Sequence, residues 1–220
     1  MIPLKDDISS KTVPIINISL IVINIIVFIY EVNVKNINVF LYNNAFIPDM
    51  LFVHLDIFRS FERMFESMFF HGGFLHILGN MWFLWIFGDN VEDAYGHINY
   101  LFLYILGGLL AFFMQGVINP GSTVPMIGAS GAISAVVGSY FIMFPKAKIL
   151  SLILIVIILV PIWVPAWLFT ILWFFIQYFN GILSIVSQSA GGVAWFAHIS
   201  GFLFGVIAAK YMLNTGRIRL

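Results

Sequence analysis

The chain has 220 residues, is 61% hydrophobic and only 9% charged, and carries no formal net charge. A soluble domain of this length needs far more charge to cover its surface, so a mean hydropathy of +1.02 marks an integral membrane protein. Charge balance argues against nucleic acid as a partner, and the lack of Cys removes disulfides, thiolate metal sites and cysteine nucleophiles.

A helix needs roughly 20 apolar residues to cross a bilayer. Residues 1–12 read as a short cytoplasmic N-terminus, ahead of a first span from about Val13 to Tyr30 that is expected to act as its own insertion signal. Glu31 to Phe70 carries Asp49, Asp56, Arg59, Glu62, Arg63 and Glu66, too many charges to cross, and reads as an outer interfacial loop over 31–70. A second span covers about Phe74 to Val91 and a third about Asn99 to Ile118. Asn119-Pro120-Gly121-Ser122 then breaks the chain. The fourth span runs from about Ala129 to Pro145, the fifth starts at Pro165, and the sixth covers about Val193 to Met212. Between the fourth and fifth, Ile149 to Val160 is apolar, and its β-branched run (Ile153, Ile155, Val156, Ile157, Ile158) leaves a short strand or a membrane-skirting segment open.

No ten-residue pattern of alternating hydropathy recurs, so the expected fold is all-α: one six-helix membrane domain over 13–213, with a cytoplasmic tail at 214–220. Lys and Arg set its orientation. Seven fall on the inner side (Lys5, Lys11, Lys146, Lys148, Lys210, Arg217, Arg219) against three outside (Lys35, Arg59, Arg63), which predicts both termini inside. The expected setting is the plasma membrane of a prokaryote.

Three polar groups interrupt these spans at one depth. Counting about 1.5 Å per helical residue from the inner ends, Ser130 lies roughly 22 Å up, His198 roughly 18 Å and His76 roughly 20 Å. Ser130, Ser134 and Gly138 form a small-residue stripe at i, i+4, i+8. His198, Gly201 and Gly205 share a face, with the two glycines spaced as GxxxG, a pattern that lets membrane helices approach closely. His76 and Asn80 point the same way one turn apart.

A serine hydroxyl needs a base to take its proton, and His is the usual one. No Asp or Glu follows Asp93, so Ser130 and His198 would act as a dyad. Free N–H groups at the start of a helix suit a developing oxyanion, and His76 and Asn80 could add donors.

These pieces resemble the rhomboid family of intramembrane serine proteases. The likeness rests on Gly128-Ala129-Ser130-Gly131-Ala132, on Ala197-His198-Ile199-Ser200-Gly201, on His76-Ile77-Leu78-Gly79-Asn80, and on Gly88-Asp89-Asn90-Val91-Glu92 with Gly96. It extends over almost the whole chain from Val13. It implies Ser130 as nucleophile, His198 as general base, His76 and Asn80 on the oxyanion side, and cleavage of transmembrane protein substrates. Gly128 and Gly131 would shape the turn at the nucleophile, while Ser134, Gly201 and Gly205 would pack the helices. The lipid bilayer is the expected surrounding; no cofactor and no metal are expected. Two departures stand out. Glu62-Arg63 takes the place of a Trp-Arg pair, and Ser134 replaces an aromatic residue that would pack on the catalytic imidazole.

Blander readings apply elsewhere. Glu92 ties a helix end to a neighbour, Arg63 anchors the outer loop, His71 bonds a loop, and Trp163, Trp167, Trp173 and Trp195 read as interface anchors. Two other functions compete with proteolysis. One is a non-catalytic relative binding membrane segments as a chaperone or adaptor. The other is a transporter, although no repeat relates the two halves and the last four spans hold no acid.

Overall fold

The computed structural model describes residues 1–155, 157–186 and 194–218. Strand β1 (Ile2–Asp6) is followed by the long helix α1 (Ile15–Val32) and three short helices, α2 (Ile37–Asn44), α3 (Pro48–Phe52) and α4 (Ile57–Ser67). Then come α5 (Phe74–Tyr95), α6 (His97–Ile118), α7 (Ser130–Met143), β2 (Lys148–Ile155), β3 (Ile158–Pro165), α8 (Ala166–Val186) and α9 (Trp195–Asn214). Val156, Val193 and Arg219, which the sequence reading used, lie outside the described residues.

Helices dominate because lipid offers no partner for backbone N–H and C=O groups, and a helix satisfies them internally. Among the described residues, α1, α6, α8 and α9 are long and apolar enough to cross a membrane. Of the other two expected spans, α7 is an apolar helix of only 14 residues. Helix α5 has 22 residues, but its last two turns carry Asp89, Glu92 and Asp93.

Those acids have work at a helix junction. The buried Glu92 carboxylate accepts the backbone N–H of Ile16 and Asn17 at 3.0 and 2.7 Å, capping α1, and pairs with the His97 ring at 2.5 Å. Helix α5 turns directly into α6 through Gly96, whose φ of +73° suits glycine. Arg63 fastens the region before α5 by donating to the Asn43 carbonyl.

The all-α expectation needs correcting, because β1, β2 and β3 form an antiparallel sheet in that order. Strands β2 and β3 pair from Lys148↔Pro165 to Ile155↔Ile158, and Asp6 of β1 sits opposite Ile149. Two physical reasons favour strand over helix here. About half of the segment is β-branched. Pro161 would also break a helix, whereas an edge strand such as β3 tolerates a residue with no N–H. The N-terminus is therefore a docked strand. Asp6 accepts hydrogen bonds from Asn90 of α5 at 2.8 Å and Tyr140 of α7 at 2.6 Å. The Trp82 indole donates to the Pro3 carbonyl at 2.6 Å, so β1 lies along α5.

At the centre, α7 packs against α5, α6 and α9. Its contact with α9 is backbone to backbone. A Cβ on Gly201 would collide with the Gly131 carbonyl, and one on Gly205 with the Ala135 carbonyl. Ser139 donates to the Gly205 carbonyl at 3.0 Å across the same seam.

Candidate active site

Ser130 is the first residue of α7, with no side chain capping that helix end. The turn before it needs glycine twice over. Gly128 has φ +118°, and a Cβ there would lie 2.8 Å from His76 Nε2. The turn is also clipped from below. Gly128 N–H donates to the Ser67 carbonyl at 2.9 Å, Met126 N–H to the Phe46 carbonyl at 2.8 Å, and Asp49 N–H to the Ser122 carbonyl at 3.1 Å. Residues between α1 and α5 thus hold the segment 119–129 in place.

Sixty-eight residues later in sequence, His198 brings Nε2 to 2.7 Å from Ser130 Oγ. Its helix is set by a residue absent from the sequence reading. Gln115 of α6 accepts the N–H groups of Phe196 and Ala197 at 3.0 and 3.2 Å, capping the first turn of α9. The other ring nitrogen, Nδ1, lies 2.8 Å from Gln177 Oε1 on α8. Trp173, one turn earlier on α8, stacks on the imidazole with centroids 6.3 Å apart, and Trp195 meets it edge-on at 6.1 Å. Trp173 and Trp195 are thus neighbours of His198. Ser134 packs nothing against the ring; its hydroxyl donates to the Ser130 carbonyl at 2.6 Å.

His76 of α5 flanks the same space, and Asn80 follows one turn along that helix. Gly72 N–H donates to His76 Nδ1 at 3.3 Å, which leaves the ring's proton on Nε2, the nitrogen facing Gly128. Asn80 Nδ2 is buried without a partner. An unpaired amide inside protein is costly. His71 sits behind His76 with ring centroids 5.1 Å apart. Burial, with His76 beside it, lowers the His71 imidazole to about 4, so it is neutral near pH 7. Its backbone N–H is taken by the Glu31 carboxylate of α1 at 3.1 Å.

The four side chains thus come from α5, α7 and α9. The arrangement provides a hydroxyl facing a base, backbone N–H groups at a helix start, and a further donor on His76, a set suited to acyl transfer. Sequence could not single out Gln115 or Gln177, because a lone Gln in an apolar run has no spacing partner to mark it.

The chain is similar to known proteins. The Rhomboid domain family matches residues 59–215. Rhomboid protein 1, mitochondrial, of Saccharomyces cerevisiae is 32% identical over 109 residues, covering 48% of this chain and 32% of that protein. Presenilin-associated rhomboid-like protein A, mitochondrial, of Danio rerio is 33% identical over 85 residues, 38% of this chain and 22% of its own. The human presenilin-associated rhomboid-like protein, mitochondrial, is 26% identical over 157 residues, 67% of this chain and 37% of its own. The matches therefore span between 22% and 37% of these relatives' lengths. Their mitochondrial names and eukaryotic sources overturn the expected prokaryotic plasma membrane. Hydropathy reads the presence of a bilayer and carries no mark of which bilayer it is. The multi-pass membrane character stands, and with a family match over more than half of its length the chain belongs to the rhomboid family.

Proposed function

We propose that this chain is an intramembrane serine endopeptidase, hydrolysing peptide bonds in or next to the transmembrane segments of other membrane proteins. Family membership supports the reaction class, since rhomboid proteins are generally intramembrane serine proteases. The observation that carries the reading is the 2.7 Å approach of His198 Nε2 to Ser130 Oγ at the uncapped start of α7. The reading includes a single membrane domain over 13–213 with six spans and both termini inside.

In this mechanism Ser130 Oγ attacks the scissile carbonyl carbon while His198 Nε2 takes its proton. The carbonyl oxygen becomes an oxyanion, met by backbone N–H groups at the start of α7, His76 Nε2–H and Asn80 Nδ2–H. His198 then gives the proton to the leaving amine nitrogen as the peptide bond breaks. Water, deprotonated by His198, releases the acyl group from Ser130 and restores the hydroxyl.

Labelling of the purified protein by a fluorophosphonate probe tests this directly. Wild type labels, and Ser130→Ala and His198→Ala each lose about 10³-fold or more, as for triad residues that act as a unit. Labelling retained by either variant, or none in a folded wild type, removes the protease reading and favours a relative that only binds membrane segments.

A further inference from the structure

His198 is the base facing Ser130, and which of its nitrogens carries the proton decides whether it can work. A neutral imidazole has one N–H and one lone pair. With the proton on Nδ1, the lone pair on Nε2 faces Ser130 and can receive its hydrogen. With the proton on Nε2, that ring nitrogen is a donor, and Ser130 has no base. Serine–histidine sites commonly settle this with a carboxylate behind the ring, but this chain has no Asp or Glu after Asp93. The groups facing the imidazole are Ser130 from α7, His76 from α5, Trp195 from its own helix, and Gln177 and Trp173 from α8.

We propose that Gln177 is the positioning residue of the dyad: its Oε1, 2.8 Å from His198 Nδ1, holds the ring proton there and leaves Nε2 as the base for Ser130. This inference rests on the protease reading and deepens it. Gln177 is 6% exposed, so water does not compete for the bond. Trp173 lies one turn before it on the same face and fixes the ring plane, taking the part that the missing aromatic at Ser134 would play. The dyad thus draws on three helices: α7 supplies the hydroxyl, α9 the imidazole, and α8 both contacts that orient it. A displacement of α8 by one helical residue, about 1.5 Å, would break that orientation while leaving Ser130 and His198 on their own backbones undisturbed.

Three variants separate this role from simple packing. Gln177→Leu keeps the volume and removes the acceptor; Gln177→Met does the same with a more adaptable side chain, should Leu not fold. Gln177→Glu keeps an acceptor and adds a charge that favours the imidazolium. The readout is the rate of fluorophosphonate labelling of full-length protein in detergent from about pH 5 to pH 9, with circular dichroism melts alongside. The expected result is labelling slowed about tenfold or more in Gln177→Leu or Gln177→Met with the melt preserved. Gln177→Glu labels, with the acid limb of its profile moved to higher pH, because the imidazole gives up its proton later. A packing role would not move that limb. Wild-type rates in Gln177→Leu and Gln177→Met, or an unmoved limb in Gln177→Glu, overturn the inference while wild-type labelling keeps the protease reading intact. A folded wild type that does not label overturns both.

Discussion

Two of the helices that meet α9 at the site, α7 and α8, do so in opposite ways. Helix α7 touches it through glycines and main-chain carbonyls: Gly131 and Ala135 against Gly201 and Gly205, and Gly138 against Phe202. Helix α8 touches it through rings, with Phe174 on Phe202 at 4.9 Å and Trp173 on Phe202 at 6.2 Å. Rings also carry α8 to α5, where Phe83 meets Phe169 and Trp173 at 6.4 and 6.2 Å. A backbone contact has no rotamer to yield, so the hydroxyl and the imidazole share one stiff frame. Ring contacts of this kind contribute about 0.5–1.5 kcal/mol each and can slide. The reacting atoms sit on the stiff seam, and the group that orients them sits on the compliant one.

The hardest blow to that contrast is a side chain in the α7–α9 seam. Gly205→Leu would drive a side chain into the Ala135 carbonyl and is expected to cost about 3 kcal/mol or more, seen as a lower melting temperature or loss of the fold. Gly79→Ala, on a face of α5 with nothing within 4 Å, should be neutral or slightly stabilising. Equal losses in the two variants would show that the seam is not stiff. Next in size is the oxyanion side. Asn80→Ala should slow probe labelling about 10²-fold without lowering the melting temperature, because the amide it deletes has no partner in the resting protein. A destabilised Asn80→Ala with unchanged labelling would make Asn80 a packing residue.

The smallest effect belongs to the sheet beside α5. Burial, opposed by the Tyr140 hydrogen bond and aided by Asp89, raises the Asp6 carboxyl from 3.8 to about 6. The docked strand therefore favours the protonated acid. The stability this contributes is complete below about pH 3.8 and is lost as pH rises through about 6. Hydrogen exchange of the β1 amides, corrected for intrinsic rates, should show more protection at about pH 5 than at about pH 7.5, and Asp6→Asn should remove the difference. The same protection in wild type at both pH values would mean that Asp6 does not titrate with docking.

Some of this was plain in the residues. Apolar runs became α1, α5, α6, α7, α8 and α9 within a few residues of the expected limits, since a bilayer leaves a helix as the simplest way to satisfy the backbone. The fifth helix starts one residue after the expected Pro165. The sheet was harder to read. Ile149 to Val164 is apolar on both faces, so no period separates strand from helix, and β1 exists only through its pairing with a segment far along the chain. Ser130, His198, His76 and Asn80 stood out because polar side chains at matched depth in apolar spans are costly. Gln115 and Gln177 did not, being single amides in apolar runs.

Sequence alone determined that the chain lives in a membrane as helices, that a serine and histidines interrupt apolar runs, and that no carboxylate follows Asp93. These follow from local composition and spacing, which burial in lipid turns directly into structure. Only the tertiary structure decided that His198 meets Ser130 at 2.7 Å, that Gln115 caps its helix, and that Gln177 and Trp173 orient its ring. Each of those contacts joins residues on different helices, and the rotation of one helix against another depends on which side chains fill the space between them.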